Sequence, residues 1–298
     1  MRTNRIPCRL CGSDTTYFMN KIVLSKHYVS YYRCENCLSC QTEEPYWLPE
    51  AYKSSAINLD VGMCQRTLNC VLQTSLFLSE VAFGHDELCI DFGGHIGLFT
   101  RMMRDRGFNF ISYDKFSQPI YSGTFSANDL SELTRLNPSL VTVYEVLEHL
   151  PNPAVDLNEI FSLSSKYIIS STEIYESQGK DWWYFVPDGG QHVFFYSLKA
   201  LALVAEKYGF VLRSFGSTHI FIAKAEIAVL AARGINIDEV IGRIANPRYA
   251  LNKSLDLLGS HQQQPWTWIQ RDFETVSDLL KKSAPRRAGT ATETGPVA

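Results

Sequence analysis

Four cysteines near the amino terminus stand in two pairs, Cys8-x-x-Cys11 and Cys34-x-x-Cys37, with 22 residues between the pairs. A CxxC turn places both sulfurs on one side of a bend, and two such hooks complete a tetrahedron around Zn²⁺. The gap is slightly longer than the usual zinc-ribbon spacing but is one that a hairpin easily closes. Arg9, Lys26 and Arg33 lie nearby in sequence to offset the thiolate charge. Four-thiolate sites are closed, so a zinc held by Cys8, Cys11, Cys34 and Cys37 is expected to be structural. Two other readings compete: free cysteines in a loop-rich segment, and a redox CxxC, which needs no second pair. Cys40 is a spare ligand. Cys64, Cys70 and Cys89 fall on apolar faces and are expected in the core.

A second constellation lies in Leu88-Cys-Ile-Asp-Phe-Gly-Gly-His-Ile-Gly-Leu-Phe-Thr100. An apolar strand ends at Asp91, a turn bearing Gly93, Gly94 and Gly97 follows, and a helix opens near Gly97. Glycines at such a turn let a ligand approach bare backbone. About 20 residues on, a second strand ends at Asp114, a candidate acceptor for ribose hydroxyls. A dinucleotide turn would read G-x-G-x-x-G and set a diphosphate on the helix start. The position two after Gly93 is His95, and Asp91 just before the glycines would repel a phosphate. S-adenosylmethionine carries an ammonium and a sulfonium and no phosphate, so the electrostatics favour it over NAD. An unliganded tight turn is the bland reading; Asp91, the glycines and Asp114 together at one sheet edge argue against it.

Methyl transfer is an in-line displacement at carbon, and the protein must align the nucleophile and remove its proton. Histidine suits that task near neutral pH. His149 follows a strand in Glu145-Val-Leu-Glu148-His149, and His192 ends Asp188-Gly-Gly-Gln-His192 after four consecutive aromatics, Trp182 to Phe185. The bland alternatives are a loop-capping Glu148–His149 and a satisfied loop histidine with its aromatics packed on the core. The richer reading of the second loop is a substrate lid, since a sugar ring stacks well on Trp or Tyr. His95 is a third candidate if its ring turns to the ligand. His27, His85, His219 and His261 have no partners in sequence and are expected to be incidental.

What must position these residues is an alternation of strands and helices, the mark of a parallel α/β sheet. Strands are expected at Leu88–Phe92, Phe110–Asp114, Leu140–Tyr144, Tyr167–Thr172, Phe210–Phe215 and His219–Lys224. Helices are expected at Met63–Val81, Leu98–Arg106, Pro153–Leu163 and Ser197–Tyr208, with three more around 237–244, 249–258 and 266–282. The stretch 115–138 is short and irregular, so one strand and helix are reduced there. This divides the chain into a zinc-binding module (1–45), a linker and helix (46–83), the nucleotide-binding core (84–224), a helical extension (225–283) and a disordered tail (284–298). Lys plus Arg number 28 against 31 Asp plus Glu, so a polyanionic nucleic acid is not the expected partner. The first residues lack an apolar leader and no run of about 18 apolar residues occurs, so no membrane span and a reducing cytoplasm are expected.

Asp91-Phe-Gly-Gly-His-Ile-Gly97, Tyr113-Asp-Lys115, Tyr144-Glu-Val-Leu-Glu-His-Leu-Pro-Asn-Pro153 and Trp182 to His192 followed by Phe195-Tyr-Ser197 resemble class I S-adenosylmethionine-dependent methyltransferases with an N-terminal zinc-binding segment. The likeness spans about residues 8–224. It implies a Rossmann-like seven-stranded α/β core behind a zinc ribbon. It also implies that Asp91, Gly93 and Gly97 line the methionine moiety, that Asp114 holds the ribose, and that Glu145 lies beside the cofactor. Where this family usually has glycine the chain has His95, which either crowds the cofactor or adds a polar contact. Some methyltransferases with a similar EVLEH segment bind a divalent metal through these acids and the histidine. The runs Trp47–Tyr52 and Asp60–Arg66 also resemble the family; they either reach the active-site mouth or are plain linker. The expected activity is methyl transfer to a small molecule, with an activated sugar or a glycan or natural-product precursor in view. The rivals are a zinc-ribbon RNA methyltransferase and a non-catalytic S-adenosylmethionine-binding regulator or scaffold.

Overall fold

The computed structural model describes residues 6–53, 60–163, 165–260 and 267–283. The tail expected to be disordered, 284–298, and His261 lie outside the described residues. The chain opens with a hairpin, β1 (Thr15–Val23) and β2 (His27–Cys34), whose β-branched and aromatic residues suit strands. A short β3 (Cys40–Thr42) continues the sheet, and then come α1 (Leu48–Ala51) and the long α2 (Met63–Glu80).

The core follows as β4 (Leu88–Phe92), α3 (Leu98–Asp105), β5 (Asn109–Tyr113), α4 (Leu130–Leu136), β6 (Leu140–Tyr144), α5 (Pro153–Phe161) and β7 (Tyr167–Ser171). After a long loop come β8 (Phe194–Phe195), α6 (Leu198–Tyr208), β9 (Phe210–Phe215) and β10 (Thr218–Ala223). Helices α7 (Lys224–Ala232), α8 (Ile237–Ile244), α9 (Pro247–Ser260) and α10 (Thr267–Ser283) complete the order. The six core strands match their expected bounds to within one residue at either end. Local chemistry explains several boundaries. Ser197 caps α6 by accepting the Ala200 amide, and Gly209 ends it in the left-handed conformation at φ 79°.

The core sheet has the order β5-β4-β6-β7-β10-β9, with β10 antiparallel to both neighbours and β4, β5, β6 and β7 parallel. This is the Rossmann-like arrangement expected. Its seventh strand is reduced to a single parallel bridge, Ser112 to Ser126, which is why 115–138 read as irregular. One face is covered by α2, α3, α7 and α8 around Phe77, Phe99, Met103 and Val240, the other by α4, α5 and α6 around Leu133, Leu157, Ile160 and Leu201. The strand order reverses between β4 and β6, and ligands of open α/β sheets bind at that crevice, beyond the carboxyl ends of the strands.

A second sheet, β1-β2-β3-β8, joins the amino-terminal segment to the core, because β8 comes from the loop after β7. Cys8, Cys34 and Cys37 share a buried cluster with Leu147, Phe194 and Ala200. Cys70 and Cys89 are buried as expected, but Cys64 is exposed, since it sits in the first turn of α2 on the side away from the sheet.

Far from the crevice, Asp272 of α10 is buried and takes a bidentate hydrogen bond from Arg104 of α3, 2.8 Å from Nε and 2.6 Å from Nη2, with Arg101 at 3.0 Å. Removing one partner of such a pair strands the other charge in a low-dielectric interior. Asp272→Ala is therefore expected to cost about 3–5 kcal/mol, measured as a lowered urea midpoint in equilibrium unfolding.

Candidate active site

Asp91 is the fourth residue of β4 and is paired with Ser112 and Thr142 on either side. It is 3% exposed, and its carboxylate accepts the hydroxyls of Thr100 and Thr142, each at 3.0 Å. It lies directly under the glycine turn: a Cβ on Gly94 would stand 2.7 Å from Asp91 Oδ2. Burial pushes its pKa up to about 6 despite the two threonines. The shift from 3.8 means that ionising Asp91 in the free protein costs on the order of 3 kcal/mol. A raised folded pKa contributes stability that is complete below the unfolded pKa near 4. That contribution is lost as pH rises through about 6.

The turn itself needs glycine twice. Gly93 and Gly97 have φ of 75° and 78°, and a Cβ on either would strike Val146 or Ser122. His95 also adopts the left-handed region, at φ 50°, and its ring is half-buried. The histidine thus meets the backbone demand that glycine usually meets, at modest cost. Asp114 closes the turn from the next strand: Oδ2 accepts the His95 amide at 2.9 Å, and Oδ1 accepts the amides of Phe116 and Ser117. Oδ1 is filled by its two amides, and Oδ2 keeps a lone pair for another donor.

Beyond β6, Glu145 has φ 54°, an uncommon conformation for a side chain of its kind. Ser171 at the end of β7 holds it there, accepting its amide at 3.1 Å and donating to its carboxylate at 2.6 Å. Arg66 of α2 approaches it at 3.6 Å and also pairs with Asp60 at 2.7 Å. Glu148 is wholly buried, and neither carboxylate oxygen has a well-formed hydrogen bond among the described residues. Burial first, then their mutual proximity for Glu145, raise both acids to about 7.

His149 and His192 meet beside these acids with ring centroids 5.1 Å apart. His192 Nδ1 lies 2.7 Å from the Tyr184 carbonyl and must be the protonated nitrogen, leaving the Nε2 lone pair available. Burial lowers both histidines, His149 to about 3. Donor atoms of Glu148, His149 and His192 all lie within 4.8 Å of one another, close enough to share a metal ion. Tyr52 of the 47–52 run stacks on Phe116 at 4.6 Å and lies 6.5 Å from His149. With Arg66 beside Glu145, both N-terminal runs reach the crevice.

The 182–192 loop is packed rather than free. Trp182, Tyr184 and Phe185 join Tyr31 and Phe195 in one cluster, Trp47 Nε1 donates to the Gly190 carbonyl at 2.8 Å, and only Trp183 of the four aromatics is largely exposed. Among the other histidines, His27 pairs with Glu50, and His219 is buried between Ser214 and the Thr172 carbonyl.

The four cysteines converge away from this crevice. Cys8 and Cys37 sulfurs are 3.6 Å apart, Cys11 and Cys34 3.5 Å, and all four lie within 4.8 Å. Zn–S bonds of about 2.3 Å at tetrahedral angles put sulfurs about 3.8 Å apart, so the donor set fits that ion. Cys40 is elsewhere, in the aromatic cluster. Lys26 is engaged with Glu50 and Arg33 with Tyr175 and Gln178, so neither neutralises the sulfurs as the spacing suggested.

Residues 72–214 match the family described as methyltransferase domain. No curated protein matches the chain. Among solved structures, it is similar to magnesium protoporphyrin IX methyltransferase from Synechocystis PCC 6803 with bound SAM, at 13% identity and TM-score 0.42 over 61% of this chain and 98% of that one. It is also similar to the 1,6-didemethyltoxoflavin-N1-methyltransferase of Burkholderia thailandensis, at 11% identity and TM-score 0.43 over 65% and 93%.

Because Gly97 combines a positive φ with a neighbour that a Cβ would overlap, Gly97→Ala is expected to destabilise the fold by about 1–3 kcal/mol. A lowered thermal midpoint checks this; Gly123→Ala, where a Cβ meets open space, should leave the midpoint in place.

Proposed function

We propose that the chain moves a methyl group from S-adenosylmethionine to a small-molecule acceptor at the crevice between β4 and β6, a reading supported by the match of residues 72–214 to a methyltransferase domain. The observation that carries the choice of cofactor is Asp91, a carboxylate held by two threonines under the glycine turn. Beside it stand Asp114, Glu145 and Glu148, with Arg66 partly offsetting the last two. A crevice so rich in acids suits a cationic ligand and repels a diphosphate or an RNA backbone. In this reading Gly93, Gly94 and Gly97 let the cofactor approach the backbone, Asp91 and Glu145 face its positive end, and Asp114 receives ribose hydroxyls.

S-adenosylmethionine supplies, when bound, a methyl group activated by the positive sulfur. The chain's own part is to orient the acceptor and take its proton. His192 suits that role, since its Nδ1 proton is committed to the Tyr184 carbonyl and its Nε2 is free and neutral at pH 7. His149, lowered to about 3, stays neutral as a hydrogen-bonding neighbour. The exposed Trp183 indole, against Tyr184 at 5.2 Å, offers a face on which an activated sugar ring stacks. A second reading has Glu148, His149 and His192 holding a divalent cation that orients acceptor hydroxyls; the unpartnered Glu148 oxygens favour it. Cys8, Cys11, Cys34 and Cys37 would hold a structural zinc.

Calorimetry tests the core of this reading. S-adenosylmethionine should bind and NAD should not. Asp91→Ala and Asp114→Ala should each weaken binding by about tenfold, the worth of one good charged or polar contact; unchanged affinity in both variants defeats the assignment. The pH dependence has a definite sign. Asp91 titrates near 6, Glu145 and Glu148 near 7, so affinity for the cation should rise between pH 5 and 8 and flatten above.

A further inference from the structure

We propose that Arg9, the residue inside the first cysteine hook, positions the His149–His192 pair by bridging the two loops that carry them. The inference deepens the reading of that pair given above. The guanidinium leaves the cysteine module and reaches into the core. Nη1 donates to the Pro151 carbonyl at 3.0 Å, and Nη2 to the Val193 carbonyl at 2.6 Å. Pro151 is two residues beyond His149, and Val193 is the residue after His192. One rigid, planar group therefore spans the loop after β6 and the loop after β7, and a planar fork loses little entropy in doing so.

The rest of the network makes Arg9 a fixed strut. Its amide donates to Gln41 Oε1 at 2.8 Å, and its carbonyl accepts the Ala154 amide at 3.3 Å. Cys8 precedes it, and Cys11 closes the hook two residues on, so the backbone that carries the guanidinium is set by whatever holds the four sulfurs. At the far end the Val193 carbonyl also accepts the Thr42 amide at 3.0 Å, while the Val193 amide donates to the Glu148 carbonyl at 2.8 Å. The chain of contacts runs from the cysteine hook through Arg9 and Val193 to Glu148 and both rings. Folding a four-cysteine module needs only its ligands and a hairpin. A half-buried cation aimed outward at two carbonyls serves the loops.

The test uses the full chain labelled at histidine, read by imidazole ¹H–¹⁵N spectra at one fixed pH. His85, at the amino end of β4 and stacked on Phe108, is the internal control. In Arg9→Gln the His149 and His192 resonances should shift while His85 stays in place, with bound metal and S-adenosylmethionine affinity as in the parent chain. Arg9→Lys, which keeps the charge but reaches one carbonyl, should shift the pair less. Chelation of the cysteine-bound metal, in a chain carrying no other metal ion, should move the same two resonances. Should Arg9→Gln fail to fold, Arg9→Lys and chelation still decide. A pair that stays unmoved in the folded variants and after chelation overturns the proposal. Loss of cofactor binding in the parent chain would sink the reading of the crevice instead, and the spectra would report on Arg9 regardless.

Discussion

Carboxylates forced together at the carboxyl edge of a parallel sheet are the constraint around which this structure is arranged. Asp91, Glu145 and Glu148 sit at the ends of β4 and β6, and burial raises all three above the ordinary carboxylate range. Ionised, they weigh against folding, and a domain of this size holds only about 5–15 kcal/mol in reserve. What makes them tolerable is local: Thr100 and Thr142 for Asp91, Ser171 and Arg66 for Glu145. Glu148 has least support, with its oxygens near the Thr172 and Tyr184 hydroxyls yet without a well-formed bond. In the proposed function a cationic ligand at this edge recovers energy the free protein forgoes, so the same charges that strain the fold would give the crevice its selectivity.

Much of this was legible in the residues. The parallel strands are apolar runs bounded by Gly, Asp and Pro, so their ends could be read to within one residue. The glycine turn announced its own backbone demand, and His95 fell at a left-handed position that glycine ordinarily takes. Other features left weaker traces. Helix α7, Lys-Ala-Glu-Ile-Ala-Val-Leu-Ala-Ala, spreads its apolar residues around the helix, so no period marks it. The amino-terminal strands carry aromatics on both faces, which hides the alternation that would reveal a half-buried sheet. Cys64 read as core, but it stands six residues before the buried Cys70 on the same helix, which turns it to a different, exposed face.

The site was legible as residue types and not as a constellation. Asp91 could be read as charge at a strand's exit, but not that it lies beneath the turn. Neither could the pairing of His149 with His192 across 43 positions, which depends on β8 joining the amino-terminal sheet. That strand also explains why the 182–192 loop is packed: Gly190 lies against Leu24 and Trp47 rather than in open solvent.

Two frameworks therefore meet at one crevice. The edge proposed for the cofactor is made by β4, β5 and β6 and depends on the parallel sheet alone. The histidine edge is made by the loops after β6 and β7, and both are tied to the amino-terminal segment through Arg9, Thr42 and Trp47. In the proposed function an acceptor approaching His192 meets a wall built from three stretches of chain, one of them, the amino-terminal segment, outside residues 72–214. Changes in the cysteine module can then reshape the acceptor side while Asp91 and the glycine turn keep their geometry. The division follows from the hydrogen bonds themselves: no described side chain of the cysteine module donates to Asp91 or Asp114, whereas Arg9 and Thr42 both donate to the carbonyl next to His192.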